Sequence, residues 1–138
     1  NNGCVVTISS ASGLLGVAKL TDYAASKFAA FGFMESLRSE LRMKRSSVNT
    51  LTVCPHYIGT GMFDGVRSKF PRLLPILEEA KVAAKILASV EKGKAQLVMP
   101  KFVNVIPVTR ILPVRAFDRV TDFFGVNRTM DHFRGRQK

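Results

Sequence analysis

Residues 3–9 read Gly-Cys-Val-Val-Thr-Ile-Ser, a short apolar, β-branched run without polar alternation, and that pattern predicts a strand buried on both faces. A Ser/Gly-rich stretch through Gly13 and Gly16 follows and predicts a loop at the C-terminal end of the strand. From Thr21 or Asp22, either a plausible cap, to about Met43, the residues Tyr23, Lys27, Phe31, Met34, Leu37 and Leu41 recur at helical spacing with no proline. This predicts a long helix. Residues 48–54 form a second strand pattern stopped by Pro55, after which Gly59, Gly61 and Gly65 mark a long loop. The segment 70–75 reads as irregular. Residues 76–92 then place Leu77, Ala80, Ala84, Leu87 and Ala88 on one helical face ended by Gly93, and residues 96–99 are a third strand ending at Pro100. Beyond it the chain is apolar and basic together, broken by Pro107 and Pro113, with a helical pattern over 118–124. Strands alternating with helices predict an α/β fold, a parallel sheet with helices on both faces.

Composition narrows the functional classes. The chain of 138 residues carries 21 Lys and Arg against 10 Asp and Glu, a net charge of +11 that raises nucleic acid or an anionic membrane as a partner. The bases are scattered, however, without zinc-finger spacing or an RNA-binding aromatic signature, so no nucleic-acid partner is expected. No apolar run is long enough to span a membrane, and no signal-peptide pattern is present. Two cysteines, Cys4 and Cys54, are too few for a disulfide scaffold and lie in no metal-ligand spacing. Both read as small core residues of a protein in a reducing compartment, at opposite ends of neighbouring strands, and no metal site is expected.

The chemistry-bearing pattern is Tyr23-Ala24-Ala25-Ser26-Lys27. Residues four apart share one helical face, and a fixed ammonium beside a phenol favours the ionised form that proton transfer needs. By itself the pair is also what a half-buried tyrosine beside a solvated lysine looks like. Ser10 changes this: it stands in the loop after the first strand, where its hydroxyl can meet that of Tyr23 and hold a substrate oxygen.

Three motifs together resemble the short-chain dehydrogenase family: Ser9-Ser10-Ala11-Ser12-Gly13 after a strand, Tyr23 to Lys27 on a helix, and Pro55-His56-Tyr57-Ile58-Gly59-Thr60 after the next strand. The resemblance implies the C-terminal half of a Rossmann-type doubly wound parallel sheet over residues 1–100, followed by a short helical, apolar and basic extension over 101–138. It implies NAD or NADP as cofactor and hydride exchange with an alcohol or carbonyl carbon. Ser10 would orient the substrate, Tyr23 would be the general acid/base, and Lys27 would assist it and bind the nicotinamide ribose. Tyr23, Pro55, the Ile58 backbone and the Thr60 hydroxyl would also contact the cofactor. His56 stands where the family usually has glycine and reads as a tolerated loop residue; His132 is given no role. The Gly-rich turn that holds the pyrophosphate is missing from this stretch, so it is expected to be inactive alone and to expose a sheet edge.

The segment from Cys54 to Gly65, with Met99-Pro100-Lys101-Phe102, is similar to a retinol and hydroxysteroid dehydrogenase branch. That likeness implies a small apolar alcohol or ketone as substrate, and the cytoplasmic face of the endoplasmic reticulum or of lipid droplets as location; a cytoplasmic protein is the alternative. The apolar and basic stretch after Lys101 is read in two ways, as a membrane-interface surface or as helices closing a greasy pocket. Small residues at Ala25, Ala29, Ala30 and Gly32 make a homodimer plausible. Two other functions remain open: a non-catalytic lipid-surface protein, and a nucleotide-sugar epimerase or dehydratase.

Overall fold

A computed structural model describes residues 3–135. Three parallel strands, β1 (Cys4–Ile8), β2 (Asn49–Pro55) and β3 (Gln96–Met99), stand in the order β1-β2-β3. Cys4 lies opposite Asn49 and Ile8 opposite Val53, while Thr52 lies opposite Gln96 and Pro55 opposite Met99. The crossovers are α1 (Thr21–Met43) and α2 (Glu79–Glu91). After β3 the chain forms α3 (Val105–Thr109) and α4 (Val114–Phe123), flanked by 3-10 turns at Lys101–Asn104 and Val126–Arg128.

β2 is the spine of the fold. Its successive side chains point to opposite faces, so Leu51 and Val53 pack with Val82, Ile86 and Val90 of α2, whereas Cys54 packs with Leu14 and with Phe31 of α1. The two crossover helices therefore cover opposite faces of the sheet. Val103 and Ile106 from the segment after β3 join the cluster around Cys54.

Several sequence expectations are corrected. β1 is not buried on both faces: Val5, Val6 and Ile8 are exposed, because β1 has β2 as its one neighbour among the described residues. Cys4 is accordingly half-buried and not a core residue, while Cys54 is fully buried; both are free thiols. Cys54 lies five residues beyond the partner of Cys4, about 16 Å of strand rise, out of disulfide range. Pro55 does not stop β2 but is its last residue, since the ladder there uses the His56 N–H, which donates to the Met99 carbonyl at 2.7 Å. Neither Thr21 nor Asp22 caps α1; the capping position is Leu20, which packs with Tyr57, Val66 and Met130, so apolar burial fixes the helix entry.

α2 starts three residues later than its pattern predicts. Leu77 is held instead by an isolated parallel bridge to Ile58: its N–H donates to the Tyr57 carbonyl at 2.8 Å and its carbonyl accepts from Gly59 at 3.0 Å. The buried face of α2 is also a different one. Val82, Ile86, Ser89 and Val90 turn inward and Leu87 lies exposed, because the larger β-branched stripe removes more apolar surface from water than the alanine stripe. α4 begins earlier than expected, directly after Pro113.

Candidate functional site

A cavity of about 240 Å³ opens at the C-terminal ends of β1 and β2, the edge at which open α/β sheets bind their ligands. All six residues singled out in the sequence, Ser10, Tyr23, Lys27, Pro55, Ile58 and Thr60, line it. Each arrives by a different route. Ser10 follows β1 and caps a single 3-10 turn, Ala11–Gly13: its Oγ accepts from the Ser12 N–H at 3.1 Å and makes a long 3.5 Å contact to the Pro55 carbonyl. Neighbouring Ser9, fully buried, donates to the Lys27 carbonyl at 2.8 Å and fastens α1 to this loop. Gly13 makes that approach possible, for a Cβ there would run into Ser9 Oγ and the Lys27 carbonyl.

One helical turn separates Tyr23 from Lys27. The Lys27 ammonium is held by the Ile8 carbonyl at 3.0 Å and lies 5.5 Å from the centre of the Tyr23 ring. It sits beside the ring; among the described residues no hydrogen bond joins Ser10 to Tyr23, whose hydroxyls share the cavity without pairing. The bridge to Leu77 uses the Tyr57 carbonyl and the Gly59 N–H, so the Ile58 amide is turned to the opposite side. The Ile58 carbonyl accepts from Thr60 at 2.9 Å, which shapes the short loop.

The rest of the wall is apolar and was not singled out from the sequence. Leu15, Val17, Phe63, Val103 and Ile106 contribute, and so do Phe124, Val126 and Thr129 near the C-terminal end. The rings of Tyr23 and Tyr57 both pack edge-on against Phe63, at 5.5 and 5.2 Å between centroids. Segment 125–134 is strapped onto the loops flanking the cavity. Arg67 N–H donates to the Thr129 carbonyl at 3.2 Å, Arg134 N–H to the Asp64 carbonyl at 2.9 Å, and Lys19 pairs with Asp131 at 2.7 Å. Gly65, at a φ of 85°, lies against the His132 backbone, where any side chain would collide with its carbonyl. Glycines and aromatics after β2 were a visible signal for this loop; nothing in the sequence marked Thr129.

Two buried groups are shifted by their surroundings. Burial pushes the His56 imidazole down to about 4, leaving it neutral, and its Nε2 has no hydrogen-bond partner. Burial likewise pushes the Cys54 thiol up to about 11, against weaker opposing hydrogen bonds from Ser9 and Ser10. Cys54 is thus an inert core thiol.

Comparison with known proteins agrees with this geometry. The family described as short chain dehydrogenase matches residues 1–70. Epidermal retinol dehydrogenase 2 of Mus musculus is 43% identical over the whole chain, which covers 45% of that protein. Short-chain dehydrogenase/reductase family 16C member 6 of Bos taurus is 39% identical, again over the whole chain and 44% of the relative. The chain thus spans less than half the length of these relatives. A short chain dehydrogenase from Burkholderia cenocepacia, solved in complex with NADP, superposes with a TM-score of 0.64 at 22% identity, over 87% of this chain and 47% of that one, a likeness of fold. With its three motifs gathered on one cavity and half its length matched by the family, the chain belongs to the short-chain dehydrogenase family.

Proposed function

We propose that the full-length protein is an NAD(P)-dependent oxidoreductase that interconverts a lipid alcohol of retinoid or steroid type and its carbonyl. The observation that carries this reading is the meeting of Ser10, Tyr23 and Lys27 on one cavity whose other walls are largely apolar. The residues fit the nicotinamide end of a dinucleotide: the Lys27 ammonium reaches the cavity, and the Ile58 amide is left out of the bridge to Leu77. In this reading Lys27 holds the nicotinamide ribose, and the Pro55 to Thr60 loop, through the Ile58 backbone and the Thr60 hydroxyl, holds the carboxamide. The bound cofactor gives or takes the hydride. Ser10 releases its long contact to the Pro55 carbonyl and donates to the substrate oxygen, and the Tyr23 hydroxyl moves the proton on that oxygen.

The chain has two tyrosines, both on the cavity, and Tyr23 is the better suited to this step. Tyr57 is buried with its hydroxyl bonded to Thr129, whereas Tyr23 is half-exposed beside an ammonium. The names of the relatives, retinol dehydrogenases among them, support an apolar alcohol as substrate. The test is turnover of all-trans-retinol and estradiol with NAD and NADP, followed at 340 nm in full-length protein. Tyr23→Phe is expected to lower kcat by at least about a thousandfold with cofactor affinity nearly unchanged. Full activity in that variant would exclude the assignment.

A second observation bears on location. Val108, Ile111 and Val114, at the turn between α3 and α4, are 61, 83 and 75% exposed. From Lys92 to Phe117 the chain carries five cations and no acid, with Lys101 and Arg115 exposed on this segment. Apolar side chains beside cations are the chemistry of an anionic membrane interface, which supports the proposal that the protein works on the cytoplasmic face of the endoplasmic reticulum or of lipid droplets. No helix among the described residues is long and apolar enough to cross a membrane. The outward face of α1, with Ala25, Ala29 and Gly32 exposed beside Phe33, suits packing against a second copy; a monomer in sedimentation of the full-length protein would rule that out.

A further inference from the structure

Tyr57 and Thr129 face the same cavity from different parts of the chain, their hydroxyl oxygens 2.9 Å apart. Distance alone does not say which of the two donates, but the rest of the network does. Thr129 Oγ1 lies 2.8 Å from the Val126 carbonyl, which can only accept. A threonine hydroxyl has a single proton, so Thr129 spends it on Val126 and must accept from Tyr57. The Tyr57 proton is therefore turned away toward the C-terminal segment, and its oxygen is left with acceptor capacity and nothing to donate. Among the described residues Thr129 is its one hydrogen-bond partner.

Resting on the oxidoreductase reading above, we propose that Tyr57 is a specificity-determining residue: a fixed acceptor that recognises a second hydroxyl on an apolar alcohol substrate. The ring cannot swing, since it packs against Phe63 at 5.2 Å and His56 at 4.6 Å between centroids and belongs to the cluster with Leu20, Val66 and Met130. Burial holds its phenol above the usual pKa, so the acceptor is a neutral oxygen that suits a neutral donor. Ser10 and Tyr23 take the reacting oxygen, and Tyr57 takes the other one. A ketone or ether at the second position meets an oxygen with no proton to give, and loses the contact.

The experiment is calorimetric binding to the full-length protein, with α-tetralol as reference and tetralin diols in which the second hydroxyl is walked around the two rings. At least one diol is expected to bind about five- to tenfold more tightly than α-tetralol, and its ether at the second oxygen no better than α-tetralol. Tyr57→Phe keeps the ring and is expected to erase the preference, the diol then binding no more tightly than α-tetralol to the same variant, and a retained cooperative unfolding transition shows that the variant is folded. Thr129→Val frees the tyrosine proton to turn into the cavity, so the ether is expected to gain on the diol. If no diol is preferred, or the preference survives in Tyr57→Phe, the assignment of Tyr57 is wrong. Because binding is read without turnover, a Tyr57-dependent preference in a protein that oxidises no alcohol would overturn the oxidoreductase reading alone. Turnover abolished by Tyr23→Phe with no diol preference would overturn the Tyr57 proposal alone.

Discussion

His56, where the resemblance leads one to expect glycine, is in the structure a neutral imidazole with a buried, unpartnered nitrogen. The consequence is acid sensitivity. In the unfolded chain the ring takes a proton near 6.5, but folded it does so only at about 4, so between these values the unfolded state binds more protons. Above pH 6.5 both states are neutral and no penalty applies; as pH falls toward 4 the penalty grows, reaching about 2 kcal/mol at pH 5. Denaturant titrations of the full-length protein at pH 7 and pH 5 are expected to differ by that amount more than those of His56→Gln, which cannot titrate. Equal pH dependence in the two proteins would show that the ring is solvated. The expectation of a tolerated loop residue was framed by its neighbours' contacts with cofactor; its own burial could not be read from a single residue in a loop.

Among the elements, the contact of α3 and α4 with the rest of the fold turns on Arg110. Its Nε donates to the Leu14 carbonyl at 2.7 Å, and its guanidinium lies over the rings of Phe28 on α1 and Phe117 on α4, 5.2 and 5.8 Å from their centres. One side chain thus ties the loop after β1 to α1 and to α4. A flat, delocalised cation can stack on two rings while donating in its own plane, which an ammonium cannot do. Arg110→Ala is expected to cost about 2 kcal/mol of stability, and Arg110→Lys to recover less than half of it, as read by chemical denaturation. Full recovery with lysine would mean that charge alone matters there. In the sequence Arg110 is one base among 21, and only the fold gives it the Leu14 carbonyl and the two phenylalanine rings as partners.

At the scale of the whole molecule, the segment after Lys101 has two sides. Its inner side chains, Val103, Ile106 and Phe124, form a wall of the cavity, while Val108, Ile111 and Val114 face outward. The two readings of this stretch, pocket closure and membrane surface, draw on different residues of the same helices and do not compete. Full-length protein is expected to partition several-fold more strongly onto phosphatidylcholine vesicles containing phosphatidylserine than onto phosphatidylcholine alone. Ile111→Asp with Val114→Asp is expected to reduce binding to both, and added salt to reduce the difference. Unchanged partitioning of the double variant would exclude this surface as the contact.

The sequence by itself determined the order of strands and helices, because short apolar runs and helical spacing are both local patterns, and its motifs named six residues that line one cavity, Ser10, Pro55, Ile58 and Thr60 near strand ends and Tyr23 and Lys27 one turn apart on α1. It also identified the inward face of α1, where Met34 is almost wholly buried. Only the tertiary structure decided what depends on distant neighbours. β1 carries the composition of a strand covered on both faces, yet among the described residues Val5, Val6 and Ile8 are exposed, since coverage of a face depends on what packs against it. α2 had two possible apolar stripes, and packing on Leu51 and Val53 selected one. Thr129 meets Tyr57 across 72 positions of chain, and no local pattern encodes such a meeting; the direction of that hydrogen bond, and with it the polarity of the cavity, follows from a third residue, Val126.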